Sequence, residues 1–291
     1  MQIKEVSVTL SAVVPTGAYA NYRPSYTVTA SIDEGEDYNK AITELKTEVN
    51  KQLRNDWVRL HDKDKVDYLS KVRWYEKNGK KYPSVTSVLG WSELLWKIRN
   101  PSDFGGVSED ELQEYAARGT IIHKGIEQWF QDTKGLPVPG YEFKFDHPEL
   151  VVEKLLLQES KLEAKACNWL GFWEKYGADI KFNFMERAVF GQGYAGRLDA
   201  YGTWKGEPAV FDFKTTSTYN ARVELKYFKQ MSAYAKALSG VKKPKWLVII
   251  PLNPSNKCGF GAPKIEQFSD NLFNSFASDL RAFNNDFKDL I

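Results

Sequence analysis

The chain opens on alternation. Val6, Val8, Leu10, Ala12 and Val14 form one apolar series, and Tyr26, Val28, Ala30 and Ile32 form another. A period of two predicts two half-buried strands, joined through Pro15, Thr16, Gly17 and the residues up to Pro24. After Asp37 the period changes. Ala41, Ile42, Leu45, Val49 and Leu53 fall on one helix face, with Asp37 placed to cap it. This ββα unit is expected to end near Asn55, and the polar run RLHDKDKVD, residues 59–67, reads as a linker. The expected division is therefore a small ββα accessory module over residues 1–58 and a main domain over 59–291.

The main domain opens with a hairpin over residues 73–84, around the turn pair Asn78-Gly79. Ser84 or Thr86 caps a short helix that runs through Leu94 and Leu95, and a loop follows over residues 100–106. Ser108 and Glu111 have capping-box spacing, which predicts a helix over 110–131 that carries His123. A loop over 135–140 leads to a long helix over 148–176, with Leu150, Leu155, Leu162, Ala166 and Leu170 inward. Strands are expected at 181–190, 194–203 and 208–214, then a helix over 222–238. The very apolar strand 246–250 is expected to be central, and a last amphipathic helix carries Leu272, Phe273, Phe276, Leu280 and Phe283. Helices before a sheet and one between strands predict a mixed α/β core.

Candidate chemistry concentrates in GRLDAYGTWKGEPAVFDFKTT, which begins at Gly196. Asp212 and Lys214 are two apart on a strand and share a face, and the neighbouring strand can bring Asp199 alongside. Two carboxylates so placed can hold a hard divalent cation such as Mg²⁺, with the lysine beside a phosphate. The plainer alternatives are a surface salt bridge to Lys214 or Arg197 and a solvated strand-end lysine. Gln230 and Tyr234 are four apart on one helix face, so amide and phenol can reach the same site. The alternative for Tyr234 is a core aromatic. His123 is a ligand candidate or a core histidine. Glu127 lies one turn further along the same face. Glu186 is a site acid or the partner of Arg197 across two strands. Lys80 and Lys81 at the hairpin, Ser84, Thr86 and Thr215 are candidates for phosphate contacts or ordinary surface and loop residues. Trp74, Tyr75, Trp91 and Trp96 are base-stacking or core aromatics.

The ordered set of His123 in GTIIH, Asp199 in GRLD, Asp212 and Lys214 in DFK, and Gln230 and Tyr234 in QMSAY resembles the PD-(D/E)XK nuclease superfamily. Within it, the chain from about Val72 onward is similar to the RecB-like branch. That branch includes CRISPR-associated nucleases and the single-chain exonucleases related to mitochondrial genome maintenance exonuclease. The resemblance implies a restriction-endonuclease-like mixed sheet flanked by helices. It also implies a Mg²⁺ or Mn²⁺ site with His123, Asp199, Asp212 and the Phe213 carbonyl as ligands. Lys214, Gln230 and Tyr234 would complete the catalytic group. Hydrolysis of DNA from an end, leaving 5′-phosphate and 3′-hydroxyl, is the implied activity. A site- or structure-selective endonuclease of the same fold is the alternative, and a non-catalytic nucleic-acid-binding module a further one.

Composition narrows this little. Net charge is +2 over 291 residues, and 42% apolar with 14% aromatic residues fits a well-packed globular chain. Cys167 and Cys258 are too few for a four-cysteine iron–sulfur cluster, so none is expected, and no disulfide framework is implied. The opening residues lack a signal-peptide core and no run approaches the ~20 apolar residues of a bilayer span, so a cytoplasmic location and no membrane partner are expected. DNA, single-stranded or with a free end, is the expected partner. The N-terminal unit is open to single-stranded DNA, to an annealing or replication protein, or to another copy.

Overall fold

The computed structural model describes residues 5–11, 14–15, 21–22, 25–32, 37–99, 109–136, 141, 143, 159–215, 221–252 and 260–288. Two compact units divide the chain. One comprises Met1–Val72, Trp91–Gly106 and Asp286–Ile291, and the other Arg73–Gly90 and Val107–Asn285.

In the first unit, β1 (Glu5–Ser11) continues past β2 (Val14–Pro15) and β3 (Asn21–Tyr22) to β4 (Ser25–Ser31). β1 and β4 pair antiparallel from Glu5↔Ser31 to Ser11↔Ser25. Their alternation has the expected effect. Val8 packs with Leu45 and Val49 of α1 (Tyr38–Lys71), flanked by Val6, Leu10, Tyr26, Val28, Ala30 and Ile42. The Asn39 N–H donates to Asp37 Oδ1 at 2.9 Å, so Asp37 is the expected cap. The expected end near Asn55 is corrected, as is the linker at 59–67. α1 is one helix of 34 residues, ending where the Val72 N–H donates to the Leu69 carbonyl. No Gly or Pro interrupts Tyr38 to Lys71, and its many Lys, Arg, Glu and Leu residues are good helix formers. The polar stretch 59–67 is therefore part of a continuous helix. Beyond α1, Tyr68, Trp91 and Phe287 cluster, with ring centroids 4.8–6.3 Å apart, and the Trp91 Nε1–H donates to Asp286 Oδ2 at 2.8 Å.

The second unit begins with the hairpin of β5 (Trp74–Lys77) and β6 (Lys80–Pro83). Asn78 and Gly79 both have positive φ, 53° and 71°, as a type I′ turn requires. Ser84, and not Thr86, caps α2 (Val85–Arg99): its Oγ accepts the Ser87 N–H at 3.0 Å. Two helices follow, α3 (Glu109–Thr133) and α4 (Glu159–Tyr176). The expected loops at 100–106 and 137–140, the cap at Ser108 and the helical stretch 148–158 lie outside the described residues.

The main sheet then forms from β7 (Ile180–Phe190), β8 (Ala195–Trp204) and β9 (Glu207–Lys214) as an antiparallel meander. α5 (Ala221–Ala237) crosses over to β10 (Trp246–Pro251), which pairs parallel to β9 from Trp246↔Ala209 to Pro251↔Lys214. β11 (Lys264–Gln267) pairs antiparallel to β10, and α6 (Asp270–Phe287) ends the described chain. The order is β11-β10-β9-β8-β7, a mixed five-stranded sheet. β9 is therefore in the middle, which corrects the expectation that 246–250 would be central. The apolar run of β10 reports burial on both faces and says nothing about its place in the sheet. Behind β9, Phe211 and Phe213 pack with Trp129 of α3, Trp169, Phe172 and Trp173 of α4, and Phe182 of β7. Full burial of each such side chain contributes roughly 1.5–3 kcal/mol. This aromatic floor fixes the strand ends that carry the polar residues described next.

Candidate active site

Pairing between β8 and β9 stops at Ala200↔Phe211, while β9 continues beside β10 as far as Lys214. The two strands fork there, and the fork leaves backbone groups to be satisfied by side chains. Asp199 Oδ2 accepts the Phe213 N–H at 2.7 Å. The Phe213 carbonyl accepts a hydrogen bond from His123 Nε2 at 2.9 Å, which places a proton on that nitrogen. Both polar groups of one peptide residue are thus held by candidate site residues from different elements.

His123 Nδ1 then lies 3.4 Å from Asp199 Oδ1 and 3.7 Å from Glu186 Oε1. Burial opposes a charge on the ring, but the two carboxylates outweigh it and raise the histidine to about 10. Asp199 is buried too, yet His123, Lys214 and the Phe213 N–H hold its carboxyl below the ordinary range. Glu186 reaches this group by an unusual route. Its φ is +50° inside β7, between the pairs Met185↔Ala200 and Arg187↔Leu198. A positive φ at a non-glycine residue costs on the order of 1–3 kcal/mol, and such strain is found where a side chain must be re-aimed. Arg197 Nη1 stands 3.9 Å from the other Glu186 oxygen, so the cross-strand pairing and the place beside His123 occur together.

His123, Glu186 and Asp199 offer ligand atoms within 4.8 Å of one another. Two carboxylates with one imidazole are a donor set that can hold a divalent metal ion. A second observation agrees. Asp212 is only 1% exposed, and its fully buried Oδ2 atom faces a lysine rather than solvent. Its counter-charge is Lys214, whose Nζ is 2.7 Å away. Burial pushes the Asp212 carboxyl up to about 6, against the lowering effect of Lys214, and the Asp199 charge adds to the rise. For Lys214 burial works against the charge, but Asp212 and Asp199 more than compensate and keep it an ammonium.

The pair is framed by α5. Gln230 Nε2 donates to Asp212 Oδ1 and to the Tyr234 hydroxyl, each at 3.2 Å. The Tyr227 ring lies 4.6 Å from Lys214 Nζ, a cation–π contact. Tyr234 itself lies against Gly196: a Cβ on that glycine would collide with Tyr234 Cε1. The glycine of GRLD is thus a space requirement for the tyrosine of QMSAY. Gly119 differs, since a Cβ there would make an ordinary 3.7 Å contact with Thr215 Oγ1.

These groups line one cleft of about 480 Å³, together with Arg73, Tyr75, Ser84, Thr86, Thr120, Lys124, Glu127 and Arg197. The structure therefore brings Asp199, Lys214, Gln230, Tyr234, His123, Glu186, Glu127, Ser84 and Thr86 to a common space, with Asp212 and the Phe213 backbone just beneath. Glu127 is paired there with Lys124 at 3.0 Å. Lys80 and Lys81 are exposed on β6 and do not line the cleft. Trp91 is fully buried, which removes it as a base-stacking candidate, whereas Tyr75 lines the cleft. Tyr227, Arg73, Arg197 and Lys124 were not foreseen as site residues. For Tyr227 the signal was present in its spacing, one turn before Gln230 on the same helix.

No protein-family model and no curated protein matches the chain. Among solved structures it is similar to the alkaline exonuclease LHK-Exo from Laribacter hongkongensis. The identity is 12% and the TM-score 0.32, over 56% of this chain and 92% of that one. The same enzyme in complex with dAMP aligns at 12% identity and a TM-score of 0.31, over 60% of this chain and 86% of that one.

Proposed function

We propose that this chain is a metal-dependent nuclease of the RecB-like PD-(D/E)XK type, acting on DNA ends. The observation that carries the reading is the buried Asp212–Lys214 pair standing at the same strand fork as the His123, Glu186 and Asp199 donors. A buried ammonium, held charged beside a cluster of hard ligands, has an evident use at a phosphodiester.

His123, Glu186 and Asp199 would hold Mg²⁺ or Mn²⁺, with Asp212 and the Phe213 carbonyl the further donors nearest to them. The chemistry such an ion supplies when bound is acidification of water and neutralisation of charge on the phosphate. Lys214, kept as an ammonium, cannot accept the proton of the attacking water. Its role is to position that water and offset the negative charge that develops on phosphorus-bound oxygens. Gln230 holds the Asp212 carboxylate and the Tyr234 hydroxyl with one amide group, and so fixes the direction from which Lys214 is presented. Arg73, Lys124 and Arg197, which line the cleft among its acids, are the cations available to the phosphate backbone, with Ser84 and Thr86 as neutral donors. In-line attack by water forms one P–O bond and breaks the bond to the 3′-oxygen, leaving 5′-phosphate and 3′-hydroxyl. A role in replication, recombination or repair fits such a reaction, with an annealing or replication protein as partner of the N-terminal unit.

The test uses end-labelled single- and double-stranded DNA, linear and circular, with Mg²⁺, Mn²⁺ or EDTA. Asp212→Ala and Lys214→Ala run alongside, each expected to lose roughly 10²–10³-fold in rate. Loss of linear but not circular DNA, abolished by EDTA, is the expected result. Cutting of circles would replace the exonuclease by an endonuclease, and no cleavage of any substrate would overturn the catalytic reading.

A further inference from the structure

The outer face of the β1–β4 hairpin has an unusual composition. Ser7, Thr9, Ser11, Ser25, Thr27, Thr29 and Ser31 all point away from α1 and are exposed, and Glu5 is the sole charge among these eight positions. The hydroxyls meet across the pair, Ser7 Oγ to Thr29 Oγ1 at 2.7 Å and Thr9 Oγ1 to Thr27 Oγ1 at 2.8 Å. The opposite face is only partly covered: Val8 is buried, but Val6, Leu10, Tyr26, Val28 and Ala30 stay half-exposed around the small core with α1.

Two strands alone make a marginal sheet, and a free strand edge is normally guarded by lysines, prolines or bulges. β4 has none of these. Among the described residues it pairs with β1 only, its seven residues SYTVTAS hold no charge, no Gly and no Pro, and its register with β1 is unbroken. β1 at least carries Glu5. The residues of β4 are also arranged symmetrically about Val28. Hydroxyls stand one and three positions to either side of it, and apolar residues two positions away.

We propose that β4 pairs antiparallel with β4 of a second copy of this chain, about a two-fold axis at Val28. Val28 then lies opposite the partner's Val28, Thr27 opposite the partner's Thr29, Tyr26 opposite the partner's Ala30, and Ser25 opposite the partner's Ser31. Hydroxyls meet hydroxyls on one face, apolar residues meet apolar residues on the other, and both copies of α1 stand on the apolar side. The result is a four-stranded sheet in place of a two-stranded one, closed by symmetry so that it cannot grow through β4.

The symmetry supplies the test. Light scattering on the full chain, across the micromolar range, is expected to report twice the 33.3 kDa of one chain. Thr27→Lys with Thr29→Lys sets like charges opposite each other across the axis, and the mass should fall to that of one chain. Thr27→Lys with Thr29→Glu sets opposite charges there, and the dimer should return. Both changes sit on exposed positions, so the rescue separates lost pairing from lost folding. A wild-type monomer throughout overturns the proposal, including one that adds only a foreign extended peptide to this edge. So does a dimer that the double lysine variant leaves intact.

Discussion

At the scale of single residues, two positions carry the geometry of the cleft. Glu186 holds a left-handed backbone conformation inside a strand. Glu186→Gly should relieve that strain and one carboxylate of the acidic cluster. Stability is expected to rise by about 1 kcal/mol in thermal melts, while Mn²⁺ binding by calorimetry weakens roughly 10–100-fold. A melt that falls instead would show the residue to be structural. Gly196 is the converse case, a missing side chain that another residue fills. Gly196→Ala must move the buried Tyr234 ring or the β8 backbone, costing about 1–3 kcal/mol, with cleavage falling along with stability. Tyr234→Phe, which keeps the ring, should retain the fold and lose only the hydrogen bond from Gln230.

At the scale of elements, the helix α1 is the clearest divergence between expectation and structure. Val66 is 58% exposed, so Val66→Pro removes little packing and tests the backbone alone. In a continuous helix it costs about 3 kcal/mol; in a linker it would be nearly neutral. Chemical denaturation of the two chains separates these outcomes. The reading of 59–67 failed because a polar helix and a polar linker share their residue types, and only the absence of Gly and Pro distinguishes them. The site strands were legible for a firmer reason. Asp212 and Lys214 share a face by the two-residue period, and Gln230 and Tyr234 by the helical turn, and neither depends on the rest of the chain. What was not legible depends on distant partners. The fork between β8 and β9, the positive φ at Glu186, the approach of Arg73 and the place of β10 in the sheet are all set by packing between segments far apart in sequence.

At the scale of the whole molecule, a net charge of +2 conceals a local arrangement, since Arg73, Lys124 and Arg197 line the cleft together. If these three meet phosphates, binding of single-stranded DNA should weaken with salt at a log–log slope of about −2, and Arg73→Ala should make that slope shallower by roughly 0.7. A slope near zero would remove the backbone contacts from the account. The larger consequence lies in the cluster of Tyr68, Trp91 and Phe287. Trp91 is synthesised 195 positions before Asp286, to which its indole is bound. On a ribosome adding about 5–20 residues per second, the early helix must therefore wait roughly ten seconds or more for its last aromatic neighbour. During that interval Trp91 is a sticky surface on a nascent chain.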